Sequence, residues 1–319
     1  MSTTSEAAPA AAMNRPTRRR HRSRNQMSVG QALLWIGPSL VLIFGVVLFP
    51  AVKLVQASLG RYSITGLRTG DAGGRNYRAV AEHPMLGTVL TNTLVWVVAV
   101  VALTILASLA MAQFVSKDFR GRRIVRTALI IPWAASLVIT SQLFVLIYDF
   151  NYGKLNPLLL KLRLIKAPID WLGNDSWTMA SMILVGVFVS IPFTTFVFLA
   201  GLSSIPDDVN EAATVDGASP WQRYRHVTLP LLRPAMLIAT VLNTIYVFNS
   251  FPIVYTLNDR NPGYGHDTTI TFMYKLAFKS QEKDVGMSAA AGVLNVLMIL
   301  AVVLVYLKLV DPRKDESLS

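Results

Sequence analysis

The sequence has no cysteine in its 319 residues, which closes off disulfide scaffolds, thiol chemistry and cysteine-based metal sites. Charge is scarce. Only 15% of residues are Asp, Glu, Lys or Arg, and 18 acidic side chains face 30 basic ones. His21, His83, His226 and His266 are scattered, and no His-Glu-x-x-His pairing joins any two of them. Neither a nucleophile elbow nor an inward carboxylate pair is present, so the sequence offers no catalytic constellation for an enzyme. A phosphate-binding loop is missing too: Tyr152-Gly153-Lys154 lacks the earlier spaced glycine and the hydroxyl residue that follows the lysine. Any energy from ATP must therefore come from another chain. Ionisable residues are also scarce inside the apolar runs, whereas a proton- or sodium-driven carrier needs them at depth. Lys53, near the end of the first run, is long enough to extend its amine to the interface.

Apolar residues, by contrast, make up 53% of the chain, with a mean hydropathy of +0.46, a composition too greasy for an ordinary soluble domain. Six runs approach the roughly 20 residues that cross a hydrocarbon core. They lie at about residues 33–55, 89–113, 128–148, 179–202, 235–257 and 287–309. An even number places both termini on one side. Positive residues choose that side: Arg15, Arg18, Arg19, Arg20, Arg22 and Arg24 precede the first run. Lys117/Arg120/Arg122/Arg123/Arg126, Arg223/Arg225/Arg233 and Lys308/Arg313/Lys314 fall on connections alternating with that tail, which makes these faces and both termini cytoplasmic. The connection 151–177 carries Lys154, Lys161, Arg163 and Lys166, which weakens the bias without reversing it. Residues 1–28 read as a disordered basic cytoplasmic tail, leaving 29–319 as the membrane domain. The net charge of +12 sits beside the membrane, suited to anionic lipid headgroups; no folded basic surface with interleaved aromatics points to nucleic acid.

Between the fourth and fifth runs lies a polar stretch, Glu211-Ala212-Ala213-Thr214-Val215-Asp216-Gly217-Ala218, followed after ten residues by Leu229-Pro230. Pro206 suits a first helical turn, and Asp207, Asp208 and Glu211 put negative charge near the positive helix end. Gly217 offers the left-handed backbone that ends a helix. Ser219-Pro220 starts another, running through Trp221, Tyr224 and Val227 until Leu229-Pro230 stops it. The stretch predicts a knob of two short helices, with Ala212, Ala213 and Ala218 small enough for another surface to approach closely. Trp221 and Tyr224 are expected to pack the second helix on the chain's own helix ends. The charge pattern, read independently, puts residues 211–230 in the cytoplasm.

This spaced set resembles the loop signature of the membrane subunits of bacterial ATP-binding-cassette importers. Outside the loop the likeness extends over about residues 38–310 and is closest to the carbohydrate branch, in particular the first of two permeases of the maltose and glycerol-phosphate types. It is carried by Asn76-Tyr77, Asn92-Thr93-Leu94, Gly121-Arg122-Arg123, Pro132-Trp133, Tyr152-Gly153 with Asn156, Ile191-Pro192, Phe248-Asn249-Ser250-Phe251 and Met273-Tyr274. The turn at 256–263, Thr-Leu-Asn-Asp-Arg-Asn-Pro-Gly, departs from the family's threonine- and glycine-rich pattern. The resemblance implies an all-α integral membrane protein of six transmembrane helices, an amino-terminal arm helix plus a five-helix core, in the bacterial inner membrane. It implies that the loop at 204–230 couples to a separate ATPase through Glu211, Ala212, Ala213, Asp216, Gly217 and Ala218. It further implies a second homologous permease, two ATPase subunits that bind the ATP and Mg, an extracytoplasmic sugar-binding protein, and no cofactor in this chain.

Within the spans the polar residues are neutral. Asn243, Tyr246 and Ser250 recur at three and four residues and predict one polar stripe, bordered by Asn249 and Phe251. Amides and hydroxyls beside aromatic faces suit a transient sugar site. Interhelical hydrogen bonding is the alternative use for the same residues. At the level of function, an ion-coupled secondary carrier and a membrane scaffold remain the competing readings.

Overall fold

The computed structural model describes residues 29–259, 263–279 and 283–309. The basic tail expected to be disordered lies outside those residues, as do Arg313, Lys314 and the centre of the turn at 256–263. The chain divides into two compact units, Met1–Ala51 and Val52–Ser319.

In the first unit, α1 (Val29–Leu42) leads into a π-helical turn (Ile43–Leu48) and then into α2 (Phe49–Ser58), which carries the chain over the boundary. Leu33–Ser58 forms an apolar helix of 26 residues, long enough to cross a bilayer. Leu34, Trp35, Val41 and Phe44 are all exposed, as in a helix apolar all round whose solvent is lipid or other chains. At the π turn the Phe49 N–H donates to the Phe44 carbonyl, five residues back, immediately before Pro50. A proline ring clashes with the carbonyl four residues earlier, and the wider turn relieves that clash.

The second unit adds a small antiparallel hairpin, β1 (Gly60–Tyr62) with β2 (Arg68–Asp71), to an otherwise helical body. Its spine is the pair α4 (Leu86–Ser116) and α8 (Asp175–Ser203). The two pass closely at Gly186, where an added Cβ would lie 2.7 Å from Trp96 Cη2 and 3.0 Å from Val100 Cγ2. Small residues allow such approach where lipid supplies no hydrophobic drive. Trp96, Val100, Met182, Val185 and Val189 fill this seam. Ser108 Oγ adds a cross-helix bond, donating 3.1 Å to the Ile191 carbonyl beside Pro192.

Around the spine run α3 (Arg75–Ala81), α5 (Arg122–Ala134), α6 (Leu137–Tyr148) and α7 (Leu155–Lys161). They are followed by α9 (Asp207–Val215), α10 (Pro220–Arg223), a second π-helical turn (Tyr224–Thr228), α11 (Leu229–Leu231) and α12 (Arg233–Phe248). The chain continues through α13 (Phe251–Leu257), α14 (Thr269–Phe278) and α15 (Val285–Leu309). The second π turn again precedes a proline, Pro230, with Leu229 N–H donating to the Tyr224 carbonyl.

Two expected spans are not single helices. The run at 128–148 is α5 and α6, bent by 98° where Ala135 and Ser136 take extended backbone. The run at 235–257 ends as a helix at Phe248 and restarts at Phe251. Pro252 has no N–H for the Phe248 carbonyl, and Ser250 leaves helical backbone. Upstream, α12 joins the segment Pro220–Leu231 through a 63° bend. Among the described residues four continuous helices are long and apolar enough to cross a membrane, and up to six spans result when each bent pair counts as one.

Candidate functional site

The predicted knob is built as two short helices around a glycine stop. Asp207 and Asp208 occupy the first turn of α9, after Pro206 in extended backbone. The helix ends in a pair of nested bonds: Gly217 N–H donates 3.0 Å to the Thr214 carbonyl and Ala218 N–H donates 3.0 Å to the Ala213 carbonyl. This closure requires a left-handed residue, and Gly217 has φ +77°. Ser219 then caps α10: its Oγ accepts from Gln222 N–H, while Gln222 Oε1 accepts from Ser219 N–H at 2.8 Å.

One contact fixes the angle between the two helices. Arg223 Nη1 donates 2.7 Å to Thr214 Oγ1, which itself donates 2.7 Å to the Asn210 carbonyl. In the sequence Arg223 reads only as a positive charge, because its spacing of nine residues from Thr214 across a turn carries no periodic signal. Glu211, Ala212, Asp216 and Gly217 are exposed, Ala213 and Ala218 half-buried, and Val215 presents a bare apolar side chain at 88% exposure. Trp221 departs from expectation: it is 67% exposed and touches mainly the Tyr224 ring at 5.8 Å, because α10 turns it outward. Tyr224 does pack as expected, with Leu109, Phe198, Leu232 and Ala239. An open cavity of about 670 Å³ lies behind the knob, lined by Gln113, Lys117, Asn210, Trp221, Arg223 and Tyr224 among others.

The polar stripe on α12 divides. Within α12, which ends at Phe248, Tyr246 lies about 60° around the helix from Asn243, and Ser250 stands beyond the helix end, where the backbone is no longer helical. Asn243 and Ser250 are buried at 3% and 4%; Tyr246 and Asn249 are exposed. Asn243 Nδ2 reaches Thr194 Oγ1 on α8 at 3.4 Å, an interhelical contact rather than an open one. Ser250 Oγ is buried without a hydrogen-bond partner. The break after Phe248 is held from outside: Trp96 Nε1 donates 2.9 Å to the Val247 carbonyl, and Asn249 Nδ2 donates 2.9 Å to the Ile245 carbonyl. Phe251, half-buried, stacks on Tyr255 with centroids 4.9 Å apart and planes at 17°.

Several residues of the wider resemblance are loop pins. Asn76 Nδ2 donates to the carbonyls of Ser58 and Gly60, both at 2.8 Å. Asn156 holds the Ile169 backbone and accepts from the Trp171 indole. Asn92, expected among the polar residues of the spans, donates 2.7 Å to the Gly265 carbonyl and 3.2 Å to that of Asp267. Asp267, fully buried, pairs with Lys275 at 2.8 Å and accepts from Asn258 Nδ2 at 3.0 Å. Together these bonds fasten the segment before α14 to the start of α4.

Residues 104–316 match the family described as binding-protein-dependent transport system inner membrane component. A probable ABC transporter permease protein of Brucella suis is 37% identical over 280 residues, 88% of this chain and 96% of its own. A trehalose/maltose transport system permease protein of Thermococcus litoralis is 32% identical over 285 residues, 88% of this chain and 94% of its own. Among solved structures, a chain of a bacterial ABC transporter involved in alginate import superposes with a TM-score of 0.74 at 22% identity, covering 88% of this chain and 94% of that one. That likeness speaks for the fold, which is that of a type I importer permease. The two bent spans, the exposed knob between α8 and α12, and the extent of these matches place this chain in the family of binding-protein-dependent transport system inner membrane components, as a membrane-embedded permease subunit.

Proposed function

We propose that the chain forms half of the translocation pathway of an ATP-driven sugar importer, with the knob at 204–230 as its coupling element. The observation that carries this reading is the knob itself: a rigid, exposed helix–turn–helix, locked by the Gly217 closure and the Arg223–Thr214 bond, at the foot of α12. A rigid element there transmits a push. Movement of α9 passes through α10 and the 63° bend into α12, whose other end is the Asn249–Ser250 break. The partners are two ATPase subunits, which supply the ATP and Mg, a second homologous permease and an extracytoplasmic binding protein. Both termini and the knob lie in the cytoplasm on this reading, supported by the positive residues at 117–126 and 223–233. Sugar as cargo is supported by relatives named for trehalose/maltose and sulfoquinovosyl glycerol transport.

In this mechanism ATP-driven closure of the ATPases brings two coupling knobs together and turns the cavity outward, and hydrolysis returns it inward, a rigid-body alternation without chemistry on the substrate. Tyr246 and Asn249, on the open face of α12, and Phe251 beyond the break are the side chains offered to the cargo. Asn243 and Ser250 shape the path from behind. The test is copurification of Glu211→Ala and Gly217→Pro variants with the ATPase subunits, alongside radiolabelled sugar uptake in cells carrying all partners. Loss of association or uptake at normal membrane levels is expected; wild-type behaviour in both variants would overturn the coupling role.

A further inference from the structure

Beyond the Asn249–Ser250 break the chain builds an aromatic platform of which the path described above uses Phe251 alone. Phe251 and Tyr255, one turn apart on α13, stack with each other. Tyr274 meets Phe251 at 4.9 Å and Tyr255 at 5.1 Å, and Phe278, one turn further along α14, lies 5.0 Å from Tyr274. The cluster is not sunk in the core: Phe251, Tyr255 and Tyr274 are half-buried and Phe278 is 64% exposed. Its rim is polar. Lys279 Nζ sits 5.1 Å from the centre of the Tyr255 ring and 3.3 Å from Asp259 Oδ1, and the Tyr255 and Tyr274 rings meet edge to face.

The chemistry of this surface limits its occupant. Hydrocarbon covering the Lys279–Asp259 pair and the tyrosine hydroxyls would strip their hydration without replacing it. A pyranose ring suits both parts, with C–H faces for the exposed parts of the aromatic side chains, Phe278 above all, and hydroxyls for the rim. Among the described residues the paired ammonium and carboxylate leave the rim neutral, which favours an uncharged ring over a small phosphate ester. The platform also starts at Phe251, two residues after Asn249 on the open face of α12, and so continues the path instead of opening elsewhere on the molecule.

We propose that Tyr274 and Phe278, with Phe251 and Tyr255, form a stacking site for neutral sugar rings at the outer end of the path, which makes the cargo a ring-containing saccharide. This rests on the sugar-importer reading and on its orientation, so the two are tested separately. Uptake of radiolabelled maltotriose, trehalose and glycerol 3-phosphate through the complete importer tests that reading. Saturation-transfer NMR of the same compounds on the importer complex in nanodiscs, binding protein omitted, tests the platform.

Wild type is expected to bind maltotriose or trehalose. Tyr274→Ala and Phe278→Ala should weaken that binding about five- to tenfold, the worth of one aromatic stack. Tyr274→Phe should bind nearly as wild type. Phe278→Leu keeps the apolar bulk that lipid anchoring needs but has no ring face, so it should bind as weakly as Phe278→Ala. Sugar uptake by wild type with unchanged binding in Phe278→Leu and both alanine variants would overturn the platform and leave the importer standing. Uptake of none of the sugars, or of glycerol 3-phosphate alone, would overturn both the sugar reading and the platform.

Discussion

Gly217 separates two reasons for which a glycine is needed. Nothing lies within 4 Å of the position an added Cβ would take, so a side chain meets no obstacle. The backbone, at φ +77°, is the whole constraint. An L-residue in left-handed backbone costs roughly 1–2 kcal/mol, less for asparagine, more for β-branched side chains, and proline cannot adopt it at all. The series Gly, Asn, Ala, Val, Pro at position 217 should therefore fall in that order for the fraction of knobs held closed. A cost of about 1 kcal/mol corresponds to about a fivefold change in the ratio of closed to open forms. Hydrogen exchange at the Ala218 amide, whose bond to the Ala213 carbonyl closes the helix, reads that ratio directly. Uptake through the complete importer should fall in the same order, with Asn close to wild type. A ranking by side-chain volume, placing Ala above Asn, would refute the backbone argument, since volume matters only if something stands in the way.

At Gly186 the reverse holds. The helix is regular, but an added Cβ meets the buried Trp96 ring at 2.7 Å, so Gly186→Ala should destabilise the α4–α8 seam by about 2 kcal/mol and lower the thermal midpoint of the purified protein. Asp267→Ala leaves the nearly buried Lys275 cation with the Gly263 carbonyl and the Tyr264 ring but without this counter-charge and should cost roughly 3 kcal/mol, whereas adding Lys275→Met should recover most of it; a double-mutant cycle by chemical denaturation checks this. His83 is held below its ordinary pKa by burial, edge-on to Tyr264 and Phe272, with Nδ1 accepting from Met85 N–H. The folded state therefore prefers the neutral ring. Its contribution is complete above the unfolded value near 6.5 and is lost as pH falls through the folded one. The protection factor of the Met85 amide, its exchange rate corrected for the intrinsic base-catalysed rate, should fall on acidification in wild type, and a pH-independent protection factor would refute the assignment.

The parts legible in the sequence are those whose physics is local. Asp207 with Asp208, Gly217, and Ser219-Pro220 each act over three or four residues, and the structure sets those signals where the spacing predicts, while Pro206 sits one place before the first turn, in extended backbone. The number of apolar runs was legible for a similar reason, since burial in lipid depends on the average of a run. An average is blind to direction. The 98° turn at Ala135–Ser136 and the restart at Phe251 change the path of the chain while leaving its hydropathy untouched.

The prolines were visible, but a proline removes a bond without saying whether the helix kinks or stops. The answer depends on which group takes the carbonyls set free. After Phe248 the Val247 carbonyl is taken by the indole of Trp96, 151 residues earlier in the chain, and the segment beyond is fastened by Asn92, whose partners lie 173 and 175 residues away. No periodicity links such positions. The split of Asn243 from Tyr246 has the same origin: both are polar and three residues apart, and only the packing of α8 against one side of α12 decides that the first faces Thr194 and the second the open side. This break is held in part by a distant side chain that takes a carbonyl the helix leaves free. Trp96→Phe, which keeps an aromatic ring in the seam but removes that donor, is thus the change that should loosen the break at Asn249–Ser250 while leaving the knob at Gly217 as it stands.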